Sequence, residues 1–298
     1  MKTKYVNPFT DFGFKKIFGE EASKHLLRDF LNTLLPKSNQ IIQLTFKNTE
    51  KLGTNAIERK AIFDVYCENE QGEKFIVELQ KAKQNYFKER TIFYSTFPIR
   101  EQAEKHGWNY SLKAVYCIGI LDFTFDDYES EPDRSEVVHT IKLKNQHGKI
   151  FYDKLTYIYL EMPNFKKKEE ELCNRLDQWL YFIKNLEDLN SIPAVFKDEV
   201  FTEAFNKAEL AKFSYSEMNQ YENSLKTYRD LKGVIDTAYD DGKSEGKLEG
   251  IKEGIEKGFI EGKIEIIHKL IAKNYDNQTI AELTNFSLEE IEALRNPK

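Results

Sequence analysis

Residues 63–80 read FDVYCENEQGEKFIVELQ, two runs of alternating apolar residues on either side of a short polar stretch. This pattern is typical of a β-hairpin. We predict a three-residue loop at Glu70, Gln71 and Gly72, because such a loop needs one left-handed residue and glycine adopts that conformation without strain. In this register the numbers of residues that face each other across the two strands sum to 142.

The register places the polar side chains of both strands on one side of the hairpin. Asp64 faces Glu78, and Ile62 faces Gln80. The opposite side is wholly apolar and carries Phe63, Val65, Cys67, Phe75, Val77 and Leu79. We expect the apolar side to pack on the core and the acidic side to face a cleft. A two-residue loop would have placed the two acids on opposite sides.

Two acids in this arrangement suggest a metal site. Carboxylates that face each other with about 5 Å between their Cβ atoms repel unless a cation lies between them. Mg²⁺ takes oxygen ligands and is commonly held by one or two carboxylates together with substrate phosphate. Such an ion polarises a phosphodiester and supplies hydroxide, and Gln80 could orient the attacking water. The alternative is an ordinary solvated charged face, because an acid followed by Glu-x-Gln also arises by chance.

Length and composition describe a globular chain. The 298 residues are 40% hydrophobic, enough for one sizeable core and a smaller second unit. The first residues lack an apolar stretch that could act as a signal peptide, and no stretch approaches the roughly 18 apolar residues of a membrane span. We therefore expect a cytoplasmic protein that does not enter a membrane. Cys67, Cys117 and Cys173 are few and far apart, which favours buried reduced thiols over disulfides or a zinc site.

The net charge of −6 argues against a dedicated nucleic-acid binder, because phosphate contacts come from lysine and arginine. The charge is unevenly distributed along the chain. Residues 1–120 carry 19 basic and 14 acidic side chains, a net of +5, whereas the remainder has a net of −11. The first 120 residues are therefore the part that could meet an anion.

Hydrophobic periodicity predicts an α/β fold with a small mixed sheet. The order is helix (20–35), strand (41–46), the two hairpin strands, helix (84–106, which Pro98 kinks or breaks) and a strand (113–125) buried on both faces. A second, added hairpin turns at Gln146, His147 and Gly148, and from Lys166 the pattern is helical. We predict three segments: a core at 1–165, a helical extension at 166–240 and a helical tail at 241–298.

Four segments in a fixed order resemble a known family: NPFTDFGFKKIFG at 7–19, FDVYCE at 63–68, FIVELQ at 75–80 and FKERTIFYSTF at 87–97. The chain resembles the Rpn-type recombination-promoting nucleases, also labelled putative transposases, of the PD-(D/E)XK superfamily. The resemblance covers roughly residues 5–240. It implies a restriction-endonuclease-like core (αβββαβ) and cleavage of double-stranded DNA that depends on Mg²⁺ or Mn²⁺.

The resemblance also implies roles for particular residues. Asp64 and Glu78 match the metal-binding acids, and Gln80 occupies the position of the superfamily's lysine. Asp11 matches an acid before the first helix and would assist catalysis. The candidates for contact with DNA are Lys15, Arg59, Arg90 and Tyr94.

Gln80 is a departure from the superfamily, because an amide lacks the positive charge that lysine places near the attacked phosphate. Two lysines, Lys81 and Lys83, follow in the sequence. Strand alternation directs both to the opposite face unless the strand ends at Gln80.

The last third of the chain contains a short repeat, with glycine at positions 242, 246, 250, 254, 258 and 262. Each glycine weakens a helix by about 1 kcal/mol relative to alanine. The glycines form a groove beside the apolar stripe of Leu248, Ile251, Ile255 and Phe259, which favours contact with the same helix of a second copy and hence a homo-oligomer. The alternative is a flexible charged spacer.

Three short helices are predicted at 263–273, 279–284 and 288–295, in a rhythm typical of helix-turn-helix units. The would-be recognition helix carries Glu289, Glu290 and Glu292, which favours contact with protein over contact with DNA.

Two hypotheses for the whole chain follow. The first is a metal-dependent DNA endonuclease that acts in recombination, transposition or defence against mobile elements. The second is a catalytically weak or inactive protein that keeps the nuclease fold and acts by self-association and by binding protein or DNA.

Overall fold

A mixed β-sheet forms the centre of the molecule. The structure is a computed structural model that describes residues 3–51, 61–103, 109–126 and 134–296. The strands of the sheet are β1 (Leu44–Phe46), β4 (Val65–Asn69), β5 (Lys74–Gln80), β6 (Val115–Leu121), β7 (Val138–Lys144) and β8 (Ile150–Glu161), and a separate two-stranded ladder joins β2 (Glu50–Lys51) to β3 (Ala61–Ile62). Within the described residues the sheet has six strands in the order β1-β4-β5-β6-β8-β7. β5, β6 and β8 run parallel, and the other neighbours are antiparallel.

The hairpin β4–β5 has the predicted register. Tyr66 pairs with Ile76, and Gly72 has a φ of +81° at the last position of a three-residue loop. The ladder begins at Val65, however, so the expected pairing of Ile62 with Gln80 is wrong. Ile62 pairs instead with Glu50 in the separate ladder, because the chain bends at Asp64 before it enters β4.

The helices of the described chain are α1 (Asp11–Phe18), α2 (Lys24–Leu34), α3 (Phe87–Arg100), α4 (Arg175–Asn185), α5 (Glu199–Ala208), α6 (Tyr215–Ala272), α7 (Asn277–Thr284) and α8 (Leu288–Arg295). The helices predicted at 20–35 and 84–106 are present with shorter bounds, whereas the helix that begins at Asp11 was not predicted and the expected short helix at 263–273 is part of a longer one. α3 continues through Pro98 and ends two residues later, so the predicted break at this proline is absent from the helix. The order of helices and strands confirms the α/β fold with an αβββαβ core.

Both faces of the sheet are covered by helices. On one face, Val65, Cys67 and Val77 share a core with apolar residues from α1, α2, α4 and α5. On the other face, Tyr66 and Ile76 are buried with Phe87 and Phe97 of α3. The acid-bearing side of the hairpin is therefore covered by α3 at Tyr66 and Ile76, so this side is not open along its whole length, whereas Asp64 and Glu78 at its end are half-buried.

Phe63 is a second correction, because it lies in the α3 core rather than with Val65. Its ring is 5.4 Å from that of Tyr94. The bend at Asp64 moves Phe63 out of the strand alternation that placed it on the opposite side.

The second hairpin is part of the main sheet rather than an addition to it. Its turn contains Gly148 with a φ of +75°, as predicted. β8 pairs in parallel with β6, which makes β8 an interior strand and β7 an edge strand. β6 is buried at every position, which confirms the strand predicted to be covered on both faces.

The chain forms two compact units, residues 1–232 and 233–298. The expected segment boundaries at 165 and 240 stay predictions. The second unit contains the glycine repeat, which is helical throughout as part of α6, and a small core of Ile267, Ile280 and Ile291. Asp276 caps α7, and Ser287 forms a capping box with Glu290 at the start of α8.

Cys67 and Cys117 are buried free thiols, as expected, whereas Cys173 is free but exposed, so the prediction of its burial is wrong. No helix in the described ranges is both long and apolar enough to cross a lipid bilayer.

Candidate active site

The candidate site lies at the carboxyl end of β5, where three parts of the first unit meet. Asp64 lies in the bend before β4, and Glu78 and Gln80 lie among the last three residues of β5. The Leu79 backbone N–H donates a 2.7 Å hydrogen bond to Oδ2 of Asp64. This bond holds Asp64 beside β5 although Asp64 lies outside the strand ladder.

Glu78 lies on the α3 side of β5, where its carboxyl group is largely buried. Its Oε1 has no hydrogen-bond partner among the described residues. A buried carboxylate oxygen without a partner is rare and destabilising, unless water or an ion binds it. Glu78 also lines a small cavity of about 10 Å³, which is close to the least volume that holds a water molecule. The other residues of its wall are Ile76, Thr91, Tyr94, Cys117, Ile118, Gly119 and Tyr159.

Asp64 and Glu78 interact electrostatically, and both have raised pKa values. Burial is the main cause of the raised pKa of Glu78, and the negative charge of Asp64 adds to it. Burial also raises the pKa of Asp64, against the hydrogen bond from Leu79, and Asp11 raises it further. Burial and repulsion between the carboxylates both disfavour the presence of two negative charges at the site. A cation bound here would remove that penalty.

The donor set fits a hard divalent ion held by two carboxylates. No group of three or more His, Cys, Asp or Glu side chains within the described ranges is arranged to hold a metal. Mg²⁺ commonly binds to proteins through only one or two carboxylates and keeps water or substrate oxygens as its other ligands. The unpartnered Oε1 of Glu78 is the observation that favours such an ion.

The first helix supplies a second pair of charges. Asp11 is the first residue of α1, which Thr10 caps by accepting a hydrogen bond from Gly13. Lys15 lies one turn later and forms a 2.9 Å ion pair with Asp11. Both residues act on Asp64, because Asp11 raises its pKa and Lys15 lowers it. The structure therefore brings Asp11 and Lys15 to the predicted site.

Helix α3 supplies the cation on the other side of Glu78. Arg90 Nη2 donates a hydrogen bond to Oε1 of Gln80, and Nη1 donates a 2.5 Å bond to Oε1 of Gln84. The guanidinium also lies 5.7 Å from the ring of Tyr94, one turn along the helix. Its positive charge opposes the rise in the pKa of Glu78. Arg90 Nε is buried and has no partner among the described residues.

Tyr94 is half-buried between Glu78 and the aromatic rings of the α3 core. Burial raises the pKa of its hydroxyl, and the negative charge of Glu78 adds to the effect. Its ring contacts Phe63 edge to face, which fixes its orientation. Tyr94 thus belongs both to the core and to the wall of the cavity beside Glu78.

Gln80 is buried, and its amide is already engaged. Nε2 donates a 2.8 Å hydrogen bond to the Ala82 carbonyl, while Oε1 accepts from Arg90. These bonds fix the position of the Arg90 guanidinium relative to the end of β5. The role of Gln80 in orienting water stays a prediction.

Lys81 is a further charged residue near the site. Lys81 points away from Glu78 if β5 continues, but β5 ends at Gln80. Lys81 is half-buried and interacts electrostatically with Asp11 and Asp64. The apolar alternation of β5 stops after Leu79, and this is the sequence signal that could have shown that the strand ends before Lys81. Lys83, in contrast, is exposed and pairs with Asp126.

The structure thus brings Asp11, Lys15, Asp64, Glu78, Gln80, Arg90 and Tyr94 together within one unit. Arg59, the remaining candidate for DNA contact, lies outside the described residues.

No curated protein and no solved structure gives a significant match to this chain. A family model described as PD-(D/E)XK nuclease family transposase matches residues 8–238, which include α1, the hairpin and α3. The matched range contains every candidate residue of the site. The chain belongs to the PD-(D/E)XK nuclease family transposases.

Proposed function

We propose that this protein is a metal-dependent endonuclease that hydrolyses phosphodiester bonds of double-stranded DNA. The observation that carries the proposal is the half-buried pair Asp64 and Glu78, with a buried, unpartnered oxygen on Glu78 and positive side chains nearby on α1 and α3. Membership of the nuclease family supports the same conclusion. Recombination, transposition and defence against mobile elements are all compatible biological settings.

Asp64 and Glu78 are the residues that would hold Mg²⁺ or Mn²⁺. When bound, the ion would polarise the phosphodiester and lower the pKa of a water molecule. Both carboxyl groups must be ionised to act as ligands, so burial makes the empty site unfavourable and the occupied site comparatively stable.

The remaining residues bind and orient the substrate. Lys15 and Arg90 supply positive charge on opposite sides of the acid pair, where the phosphates of one strand would lie. Asp11 keeps Lys15 in place through their ion pair. Gln80 holds the Arg90 guanidinium, and Tyr94 packs under it. Contact between Arg59 and DNA stays a prediction.

Hydrolysis adds one water molecule to one phosphodiester. The water oxygen forms a bond to phosphorus, and the bond from phosphorus to one sugar oxygen breaks. One proton from the water ends on the sugar oxygen as a hydroxyl, and the phosphate keeps the new oxygen. The flanking cations Lys15 and Arg90 would hold the phosphate and interact with the negative charge that develops on it, while the acid pair would hold the metal ion.

The experiment that tests the proposal is incubation of purified protein with supercoiled plasmid in Mg²⁺, in Mn²⁺ or in EDTA. We expect nicked or linear DNA with either ion and intact plasmid in EDTA. Asp64→Ala and Glu78→Ala should abolish cleavage, whereas Asp126→Ala, a matched change at an exposed acid, should leave it intact. Equal cleavage by wild type and both site variants would reject this active site.

We propose in addition that the helix α6 mediates self-association, as the glycine repeat suggests. The side chains of Leu248, Ile255 and Phe259 are 69%, 69% and 64% exposed, and the repeat glycines have open space where a side chain would be. An exposed apolar stripe beside bare backbone suits close contact with a second helix. Light scattering tests this, because Leu248→Lys with Ile255→Lys should convert an oligomer to a monomer. A monomeric wild-type protein would contradict it.

A further inference from the structure

The positive side chains around the acid pair differ in whether their hydrogen-bond donors are already engaged. Lys15 is paired with Asp11, and Arg90 donates to Gln80 and Gln84. Lys81 has neither a hydrogen bond nor an ion pair with any residue in the described part of the chain. Its ammonium therefore keeps all three N–H donors available for a ligand.

The backbone is anchored on both sides of Lys81. β5 ends at Gln80, whose carbonyl accepts a 3.0 Å hydrogen bond from the Asp122 backbone N–H. The Gln80 side chain closes the following turn through its bond to the Ala82 carbonyl. Lys81 lies between these two anchored positions, and Ala82 is buried. The base of the Lys81 side chain is consequently fixed.

The surroundings of Lys81 are unusual for a lysine without a partner. It is half-buried, and the loss of hydration lowers the pKa of its ammonium, while Asp11 and Asp64 oppose this effect and Lys15 adds to it. A lysine in such a place normally pairs with a nearby carboxylate, because burying an unpaired charge is unfavourable. Asp11 is paired with Lys15, and Asp64 accepts from Leu79. The free ammonium thus lies close to the acids without being neutralised by them.

We propose that the Lys81 ammonium binds a non-bridging oxygen of the phosphate that is cleaved, and that it stabilises the negative charge that develops there. This inference rests on the proposed nuclease function and names the residue that supplies the positive charge missing at Gln80. Gln80 is neutral, and both ends of its amide are engaged within the protein. Lys81 interacts with Asp64 and with the α1 residues Asp11 and Lys15, whereas Arg90 lies on α3, so the phosphate would lie between two cations.

Cleavage by Lys81→Met, with Lys83→Met as the matched control, is the first test. Lys83 is two residues away, exposed and paired with Asp126. We expect Lys81→Met to lower the single-turnover rate about 100-fold, the cost of removing one donor to the transition state. Lys81→Arg should recover part of the loss, and Lys83→Met should stay within about twofold of wild type. The Mg²⁺ concentration for half-maximal rate should not change, because Lys81 is no metal ligand. Wild-type cleavage by a folded Lys81→Met variant would overturn the proposal.

A second readout does not depend on cleavage. Acetylation of lysine side chains by a water-soluble reagent, quantified by mass spectrometry, reports whether each amine is accessible. With a short DNA duplex and Ca²⁺, which binds oxygen ligands as Mg²⁺ does, we expect acetylation of Lys81 to fall at least fivefold and that of Lys83 to stay constant. Unprotected Lys81 under conditions in which the duplex is bound would overturn the contact with phosphate.

The two readouts separate the possible failures. If wild type does not cleave but Lys81 is protected by DNA, the nuclease function is wrong and the phosphate contact stands. If wild type cleaves and Lys81→Met cleaves equally well, the nuclease function stands and the role of Lys81 is wrong. Thermal unfolding shows whether Lys81→Met folds. We expect its Tm to equal or exceed that of wild type, because the substitution removes a half-buried charge that has no partner.

Discussion

Glu78 places a carboxyl group where its charged form is poorly solvated, because the cavity beside it is lined mainly by β6 residues and by the rings of Tyr94 and Tyr159. Its pKa is therefore well above the ordinary value of a glutamate, first through burial and then through Asp64. Between the pKa of an unfolded glutamate and this raised value, the folded protein binds more protons than the unfolded chain. Without metal, the folded state thus loses stability as the pH rises through this window.

The first prediction concerns Glu78→Gln in EDTA. Glutamine has the same shape and no charge to desolvate, so the Tm of the variant should exceed that of wild type at neutral pH. The difference should vanish below about pH 4, where glutamate is protonated in both the folded and the unfolded state. Differential scanning calorimetry across pH measures this. A lower Tm for the variant at neutral pH would show that the carboxylate is stabilised in the absence of metal.

Metal binding should show the opposite dependence on pH. A divalent ion needs Asp64 and Glu78 in their ionised forms, and both have raised pKa values. The second prediction is that Mn²⁺ affinity, measured by calorimetry, increases with pH well above the range in which ordinary carboxyl groups titrate, and that each bound ion displaces protons. Affinity that is constant above pH 5 would contradict the raised pKa values.

At the scale of single residues, local sequence specifies the hairpin register that places Glu78 on β5. The position of Asp64 beside it depends on the bend before β4 and on the hydrogen bond from Leu79. The bonds of Gln80 and the free ammonium of Lys81 depend on where α3 packs and on which residue ends β5, and neither is encoded locally.

At the scale of elements, the loop of the hairpin sets the position of the acid pair. Gly72 has a φ of +81°, and the nearest atom to an added Cβ would be Lys113 Cγ at 3.5 Å, an ordinary contact. The third prediction is that Gly72→Ala lowers the free energy of unfolding by about 1 kcal/mol through backbone strain alone. Gly72→Asn should cost less, since asparagine tolerates the left-handed conformation. Chemical denaturation measures both, and equal stability of Gly72→Ala and wild type would contradict the strain.

The elements also explain which predictions failed. The alternation of β4 and β5 was correct, but it could not reveal that α3 covers the face that carries Glu78, since Tyr66 and Ile76 read equally well as partly exposed residues. Pro98 lies in the last turn of α3, where the helix would end in any case. The residues around Asp64 include no glycine or proline that would have predicted the bend there.

At the scale of the molecule, the site combines the start of the chain with its central strands. α1 contributes Asp11 and Lys15, and α3 contributes Arg90, so residues far apart in the sequence supply the charges around the acid pair. β8 comes from a distant part of the chain and completes the sheet, so no single local motif could predict the whole fold. The resemblance over several segments made that prediction possible.

The fourth prediction is a strong dependence of DNA affinity on salt. Each phosphate contact by a lysine or arginine contributes about −0.9 to the slope of log affinity against log salt concentration. Lys15→Ala and Arg90→Ala should therefore each reduce the magnitude of the slope by about 1 in fluorescence anisotropy with Ca²⁺. Lys212→Ala, which removes an exposed lysine paired with Glu209, serves as the control and should not change it. An unchanged slope in the first two variants would remove them from the DNA interface.

The most direct measurement is calorimetric titration of Mn²⁺ into wild type, Asp64→Asn and Glu78→Gln, with Asp126→Asn as an exposed control. Binding to wild type and the control, together with at least tenfold weaker binding to each site variant, is the predicted result. Equal affinities in all four proteins would contradict a metal ion shared by these two carboxylates.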